Sequence, residues 1–133
     1  MAQIKKDIDE IFQAALDRVN PYKMITDNLK VENNVIEIRS GGSVKLLKLR
    51  DFEKIIVTGI GKATVRMALA VEDILGDKIT GGLISVKAGH TEKLKYIDVI
   101  EAEHPVPGDN SLRAGKEIRE IHLAGDEKTL FIN

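Results

Sequence analysis

The alternation of strand and helix signals in residues 54–86 constrains the fold of this chain more than any other feature. Residues 54–58 form a short β-branched run, which predicts a strand, and residues 82–86 predict a second one. Between them, residues 62–75 repeat apolar side chains at helical spacing, and Gly76 is a residue type that commonly ends a helix. A helix between two short apolar strands indicates a βαβ unit, in which the two strands are parallel.

The pattern continues after this unit. Residues 96–102 predict a third strand, residues 112–123 a helix, and residues 130–132 the beginning of another strand. Residues 109–111 are Asp, Asn and Ser, which are common N-caps of helices. The predicted fold class is therefore α/β: a Rossmann-like layered domain whose central sheet is flanked by helices.

The direction of the third strand follows from the length of the loop before it. Only residues 90–95 form that loop, whereas adjacent parallel strands normally need a crossover of about a dozen residues or more. We therefore expect strand 96–102 to run antiparallel to strand 82–86, which would make the sheet mixed. In that arrangement His104 lies at the edge opposite Lys62, unless the loop crosses the sheet to a non-adjacent strand.

The N-terminal part predicts a helix and a small hairpin. The helix ends at Asn20–Pro21, and residues 21–29 have room for one or two further turns. Residues 29–31 and 35–38 flank the sequence Glu-Asn-Asn, whose asparagines tolerate a tight turn, so we expect a β-hairpin followed by a loop at residues 41–43. The apolar face of the helix consists of Ile4, Ile8, Ile11, Phe12, Ala15, Leu16 and Val19.

Composition excludes several classes of function. The 133 residues suffice for one domain, and 43% apolar with 31% charged residues is ordinary for a globular protein. A net charge of -1 gives no electrostatic reason to expect nucleic acid. The chain has no cysteine, which rules out disulfides and thiolate metal sites, and no apolar run approaches the roughly 20 residues of a membrane span. We expect a soluble, cytoplasmic protein.

The turn between the first predicted strand and helix is a candidate anion site. Gly59 and Gly61 let a ligand approach the backbone, the first amides of the helix lack internal partners, and Lys62 adds a full positive charge. These features suit a phosphate or a carboxylate. The turn is not a dinucleotide fingerprint, because Thr64 stands where glycine is required, and Ala63 rules out a Walker A loop. A tight turn with packing glycines and a solvated lysine explains the same residues.

Four further side chains are candidates for this site. Lys87 and His90 follow the second strand, at the same edge of the sheet as Lys62. His104 belongs to a segment stiffened by two prolines, and Arg66 lies one helical turn beyond Lys62. Each of them also has an ordinary interpretation as a solvated or connecting residue. The spacing of the three histidines does not predict a metal site.

Two long segments resemble a known family. The segment "GIGKATVRMALAVEDILGDKITGGLISVKAGH", followed by "VIEAEHPVPGDNSLRAGKEI", resembles the N-terminal domain of the ATP-dependent glycerate 2-kinases, whose members are also called hydroxypyruvate reductases. That family has a G-x-GKA turn after a strand, a strand ending in K-x-G-H, and an E-A-x-HPVPD-type segment before a helix. "IFQAALDRVNPYKMI" also resembles the start of the family. The chain departs from it at Gly108–Asp109, where the family has Asp followed by an acidic residue.

The resemblance implies an activity and a longer protein. It implies transfer of the γ-phosphoryl group of ATP to D-glycerate with Mg²⁺, with 2-phosphoglycerate as product. It also implies that residues 1–133 are a single α/β domain of a kinase about three times longer, and that this chain is an inactive fragment or the product of a split reading frame. An apolar strand beginning at the last residues fits that expectation. We expect a homo-oligomer or a partner for the missing domain, and neither nucleic acid nor membrane as a partner.

The resemblance also gives the candidate residues their roles. Lys62 is the catalytic candidate, because its charge and the amides after Gly61 would neutralise a phosphoryl or carboxylate anion. The substrate- or phosphate-binding candidates are Gly59, Gly61, Lys62, Arg66, Lys87, His90 and His104. Two alternatives remain at this point: a hydroxypyruvate reductase, which the missing dinucleotide fingerprint disfavours, and a non-enzymatic anion-binding or oligomerising α/β module.

Overall fold

A four-stranded parallel sheet lies at the centre of the computed structural model, which describes residues 2–133. Its strands are β4 (Lys54–Ile60), β5 (Gly81–Lys87), β6 (Asp98–Ala102) and β7 (Thr129–Ile132), in the spatial order β6-β5-β4-β7. All three pairings between neighbours are parallel. This architecture confirms the predicted α/β class.

One helix covers each face of this sheet. Helix α3 (Thr64–Leu75) packs on one face, where its buried residues join Val57, Ile84 and Val86 in the main core. Helix α4 (Asp109–Leu123) packs on the other face, where Ala114 contacts the cluster of Leu83 and Ile100. β4, α3 and β5 thus form the βαβ unit that the sequence predicts.

A second sheet precedes the central one. β1 (Leu29–Glu32) and β2 (Val35–Ser40) form the predicted hairpin, and the asparagines of its turn, Asn33 and Asn34, have φ angles of 51° and 60°. Both residues are in the left-handed region that two-residue hairpin turns require. A third antiparallel strand, β3 (Ser43–Lys48), continues the sheet after the loop expected at residues 41–43, in a segment for which no element was predicted. The irregular alternation of apolar and polar residues in this edge strand explains why its pattern gives no clear strand signal.

The predicted antiparallel direction of β6 is wrong. β6 pairs with β5 in parallel, from Leu83 opposite Asp98 to Lys87 opposite Ala102. Residues 88–97 connect the two strands without a helix or a strand of their own. The connection-length argument assumes a helical crossover, which rises only about 1.5 Å per residue, whereas a more extended chain advances up to about 3.3 Å per residue. A connection shorter than the usual crossover can therefore return to the start of a parallel neighbour.

A buried carboxylate fixes the end of this extended connection. Glu72 of α3 is only 8% exposed, and its carboxylate accepts hydrogen bonds from the backbone N–H groups of Lys95, Tyr96 and Ile97. The donor–acceptor distances are 2.8, 2.6 and 3.1 Å. Because a connection without secondary structure leaves its amides without backbone partners, Glu72 supplies the acceptors that a helix or sheet would otherwise provide.

The N-terminal helices differ in how they pack. α2 (Pro21–Asn28) begins at the proline, with the Asn20 side chain accepting a hydrogen bond from the Lys23 N–H, and it contacts α3. α1 (Ala2–Arg18) is the predicted amphipathic helix, but its apolar face is exposed, from 45% at Leu16 to 71% at Ile11. Among residues 2–133, no helix combines the length and the apolar character needed to cross a membrane.

Replacement of Glu72 by alanine tests the role of its carboxylate. We expect the free energy of unfolding to fall by about 1–3 kcal/mol, because the backbone amides of residues 95–97, just before β6, lose their acceptor. Urea unfolding followed by circular dichroism measures the change. Asp77→Ala is the matched control, since the Asp77 side chain is 87% exposed and its removal should change stability by less than about 0.5 kcal/mol. Equal stability of the two variants would contradict the prediction.

Candidate anion-binding site

The carboxyl ends of β4, β5 and β6 meet at one edge of the parallel sheet, which is where open α/β sheets bind ligands. A cleft of about 350 Å³ lies at this edge. Its floor comes from the strand ends, and its polar lining consists of Lys62, Ser85, Lys87, Glu103, His104 and Ser111. Four of the predicted site residues, Gly61, Lys62, Lys87 and His104, are therefore brought together.

The turn before α3 keeps the N-terminus of this helix open. Gly61 has a φ of 131°, a conformation that favours glycine, and its N–H donates to the carbonyl of Ser85 at 2.9 Å. Ala63 occupies the N-cap position and provides no side-chain cap. The Thr64 N–H donates to the Gly61 carbonyl at 3.2 Å, so the amides of α3 that can donate to a ligand are those of Val65 and Arg66. The helix dipole adds positive potential beside Lys62.

Gly59 has a packing role. A Cβ atom at position 59 would lie 2.6 Å from the Cγ2 atom of Thr64, which is closer than side chains tolerate. The missing side chain thus makes room for the first residue of α3 against β4. Gly61 shapes the turn through its backbone conformation, whereas Gly59 allows the helix to approach the strand.

Lys87 and His90 belong to a tight turn at the end of β5. The His90 N–H donates to the Lys87 carbonyl at 3.0 Å, and Gly89 between them has a φ of 77°. The Ala88 N–H continues the ladder to the Ala102 carbonyl at 3.1 Å. This turn places Lys87 in the lining of the cleft, with the exposed His90 just outside that lining.

His104 lies at the same edge as Lys62, contrary to the arrangement expected from an antiparallel β6. Partial desolvation lowers the pKa of His104 below its usual value of 6.5, and the positive charges of Lys62, Lys87 and His90 lower it further. Four basic groups thus share one electrostatic environment. A bound anion would oppose this effect, because a nearby negative charge favours the protonated imidazole.

Glu103 occupies the N-terminus of α4. Its carboxylate accepts hydrogen bonds from the N–H groups of Asn110 and Ser111 at 3.2 and 3.0 Å, and from the Ser111 hydroxyl at 3.0 Å. Bonds from its own N–H, and from these Ser111 and Asn110 groups, lower the pKa of Glu103 to about 2. Of the two helix N-termini at this edge, α4 is therefore already capped by a carboxylate, and α3 remains available.

Sequence reasoning missed Glu103 as a helix cap because the amides that it accepts from lie seven and eight residues further along the chain. The expected caps were residues 109–111, but α4 begins at Asp109 with Gly108 in the N-cap position. A glycine at an N-cap position supplies no side-chain oxygen, so another residue must satisfy the amides. The glycine at this position, five residues after a glutamate, was the sequence feature that could have indicated a cap from outside the helix.

Arg66 lies away from the cleft lining. Its Nη1 atom is 3.1 Å from Oε1 of Glu92, and its guanidinium lies 5.8 Å from the centre of the Tyr22 ring. These contacts attach α3 to the connection before β6 and to α2. The third histidine, His122, also lies apart: its Nε2 atom is 3.0 Å from the Thr58 hydroxyl, and its ring stacks on Phe131.

A model of the family described as a domain of unknown function, DUF4147, matches residues 7–133. The chain belongs to this family. The glycerate 2-kinase of Pyrococcus horikoshii is similar, with 34% identity over 122 residues that cover 89% of this chain and 25% of that protein. This DUF4147 chain therefore spans about a quarter of the length of that curated relative.

Two solved structures resemble this chain throughout its fold. A crystal structure of a protein from Pyrococcus horikoshii has a TM-score of 0.81 and 31% identity, covering 96% of this chain and 28% of that one. A crystal structure of glycerate kinase from Thermotoga maritima has a TM-score of 0.72 and 25% identity, covering 98% and 28%. The matches cover nearly the whole of this chain, which spans about 28% of the length of each solved chain.

Replacement of Lys62 by alanine tests whether the basic groups share one cleft. We expect the pKa of His104 to rise towards its usual value, because the largest of the charges that lower it is removed. NMR titration of the imidazole measures this shift. Lys93→Ala is the control, since Lys93 is exposed on the connection before β6 and is not among the charges that act on His104. An unchanged His104 titration in Lys62→Ala would contradict the geometry.

Proposed function

We propose that this chain is the N-terminal domain of a glycerate kinase and that its cleft binds anionic groups of the substrates. The observation that carries this proposal is the convergence of Lys62, Lys87 and His104 beside the open N-terminus of α3. The names of the relatives support it. Residues 1–133 would form a single α/β domain, and the other domain would complete the active cleft.

The reaction that we propose is transfer of the γ-phosphoryl group of ATP to a hydroxyl group of D-glycerate, giving 2-phosphoglycerate. Such transfers depend mainly on positioning and on neutralisation of the charge that spreads over the phosphoryl oxygens. Lys62 and the first amides of α3 would neutralise a phosphoryl or carboxylate group. Lys87, His104 and the nearby His90 would bind further oxygen atoms of the same anion. We also propose that Gly59 and Gly61 contribute by shaping this wall of the cleft, and that Arg66 contributes by fixing α3.

The cleft suits the two implied cofactors, ATP and Mg²⁺, to different degrees. The cationic cleft suits the phosphates of ATP. Mg²⁺ takes oxygen ligands, often from carboxylates and substrate phosphates. Within the described range 2–133, no group of three or more His, Asp or Glu side chains could hold a metal ion. The carboxylate in the cleft lining is that of Glu103, and the amides of α4 already engage it. The lining residues therefore do not supply a Mg²⁺ site, and we assign them a role towards anionic groups only.

Anion binding by the isolated chain is the direct test of this function. Inorganic phosphate, ATP and D-glycerate, titrated separately into labelled protein, should shift NMR signals of the Gly61–Lys62 turn and raise the pKa of His104. Lys62→Ala should weaken phosphate binding by about tenfold, equivalent to about 1.4 kcal/mol, because a charge-assisted contact is lost. Its melting temperature should stay close to that of the wild type, as expected for an exposed lysine.

Two outcomes would contradict this proposal. One is equal phosphate affinity in Lys62→Ala and the control Lys93→Ala. The other is glycerate-dependent release of ADP by the 133-residue chain at a robust rate. It would contradict the part of the proposal in which another domain completes the cleft, since one wall of a cleft cannot position both substrates and exclude water.

Self-association or contact with a partner domain is a further part of the proposal, as is a cytoplasmic location. The apolar face of α1 and the edge strands leave surface that recruits partners. We expect sedimentation velocity at high micromolar concentration to detect a dimer or a larger assembly. Ile11→Glu, at a position 71% exposed, should reduce that assembly without changing the melting temperature. A monomer throughout the concentration series would contradict the expectation.

A further inference from the structure

We propose that Glu103, held in the space beside Gly108, is a positioning residue that keeps His104 in the cleft. The inference rests on the proposed role of the cleft as an anion site. It explains why His104, which lies on a connecting loop, stays in the same cleft as Lys62 and Lys87. Neither Glu103 nor Gly108 was a candidate on sequence grounds.

The first observation is the ring of hydrogen bonds that closes the loop. Glu103 precedes the loop and Ser111 follows it, and the carboxylate of Glu103 accepts from both the N–H and the hydroxyl of Ser111. The Ser111 oxygen in turn lies 3.4 Å from the N–H of Gly108. Residues 104–107 are therefore anchored at both ends by one carboxylate, and their two prolines restrict the remaining freedom.

The second observation is steric. A Cβ atom at position 108 would lie 2.7 Å from Cδ and 2.9 Å from Cγ of Glu103. Any side chain at this position would displace the carboxylate from the helix terminus. Glycine at position 108 thus leaves the space that the Glu103 carboxylate occupies when it makes these hydrogen bonds.

The third observation concerns charge. Glu103 is adjacent to His104 and also lines the cleft, yet the charged groups that shift the pKa of His104, besides its desolvation, are the basic Lys62, Lys87 and His90. The negative charge of Glu103 is held by the amides and the positive dipole end of α4. A released Glu103 would be free to pair with Lys62 or Lys87. We call the hydrogen-bonded pair of Glu103 and Ser111, with Gly108 beside it, the clasp. The clasp both orients His104 and preserves the positive potential that an anion requires.

The test compares four variants of the chain: Glu103→Ala, Gly108→Ala, the double variant, and the control Gly115→Ala. Gly115 lies inside α4, the helix that Gly108 precedes, and a Cβ atom there meets nothing within 4 Å. Loss of a negative charge alone would lower the pKa of His104. We expect a rise in both single variants, because His104 leaves its desolvated position beside the lysines. We also expect phosphate affinity to fall by about fivefold or more. The double variant should resemble Glu103→Ala, since the clash of position 108 needs the carboxylate.

An unchanged or lowered pKa of His104 in Glu103→Ala would overturn the inference, as would equal behaviour of Gly108→Ala and Gly115→Ala. Should Gly108→Ala fail to fold, Glu103→Gln replaces it in the comparison, because this substitution leaves the backbone unstrained. It should shift the pKa of His104 in the same direction by a smaller amount. Wild-type protein that shows no response of His104 to phosphate would refute the proposed function. In that case a raised pKa of His104 in the ligand-free Glu103→Ala variant would still support the clasp.

Discussion

The parallel pairing of β6 with β5 is the constraint on which the candidate site depends. Because both strands run in the same direction as β4, the residues that follow all three strands lie at one edge of the sheet. The connection that allows this has no helix, and its last amides donate to the carboxylate of Glu72. The buried Glu72 of α3 thus stabilises the chain just before β6, and His104, which follows β6, lies in the cleft.

Two carboxylates perform related tasks in this fold. Glu72 accepts from consecutive backbone amides at the beginning of β6, and Glu103 accepts from the amides at the beginning of α4. Both satisfy backbone donors that secondary structure leaves without partners. Their negative charges are therefore engaged by backbone dipoles. Lys62, Lys87 and His104 remain as the charges and donors that face the cleft.

Membership of the DUF4147 family describes the fold of the whole chain, whereas the proposed activity depends on a few of its side chains. The family match and the solved structures cover the fold of nearly the whole chain. The proposed chemistry concerns a few side chains at one sheet edge, and the relatives in which it is named are about four times longer. A fold supports many functions, so the charges and open amides of the cleft carry the functional argument here.

Local patterns alone predicted the elements whose residues interact with near neighbours in the chain. The βαβ unit of residues 54–86, the two-asparagine hairpin and the helix at the N-terminus follow from side-chain periodicity and turn chemistry. The glycine-lysine turn, too, was recognisable, because its geometry and its proposed anion contacts involve adjacent residues. The resemblance to the glycerate 2-kinases rested on the same ordered segments.

Contacts between distant residues decided the rest. The sequence predicted a strand at residues 96–102, where the fold has one from Asp98 to Ala102. Its parallel direction depends on a connection whose amides donate hydrogen bonds to Glu72, which lies 23 to 25 positions earlier in the chain. Likewise, a helix after Gly108 was predictable, whereas the side chain that caps it depends on the fold of the loop between Glu103 and Ser111. Periodicity reports which face of an element is buried. It does not report which neighbour covers that face or in which direction a strand runs, because long-range packing and hydrogen bonding determine both.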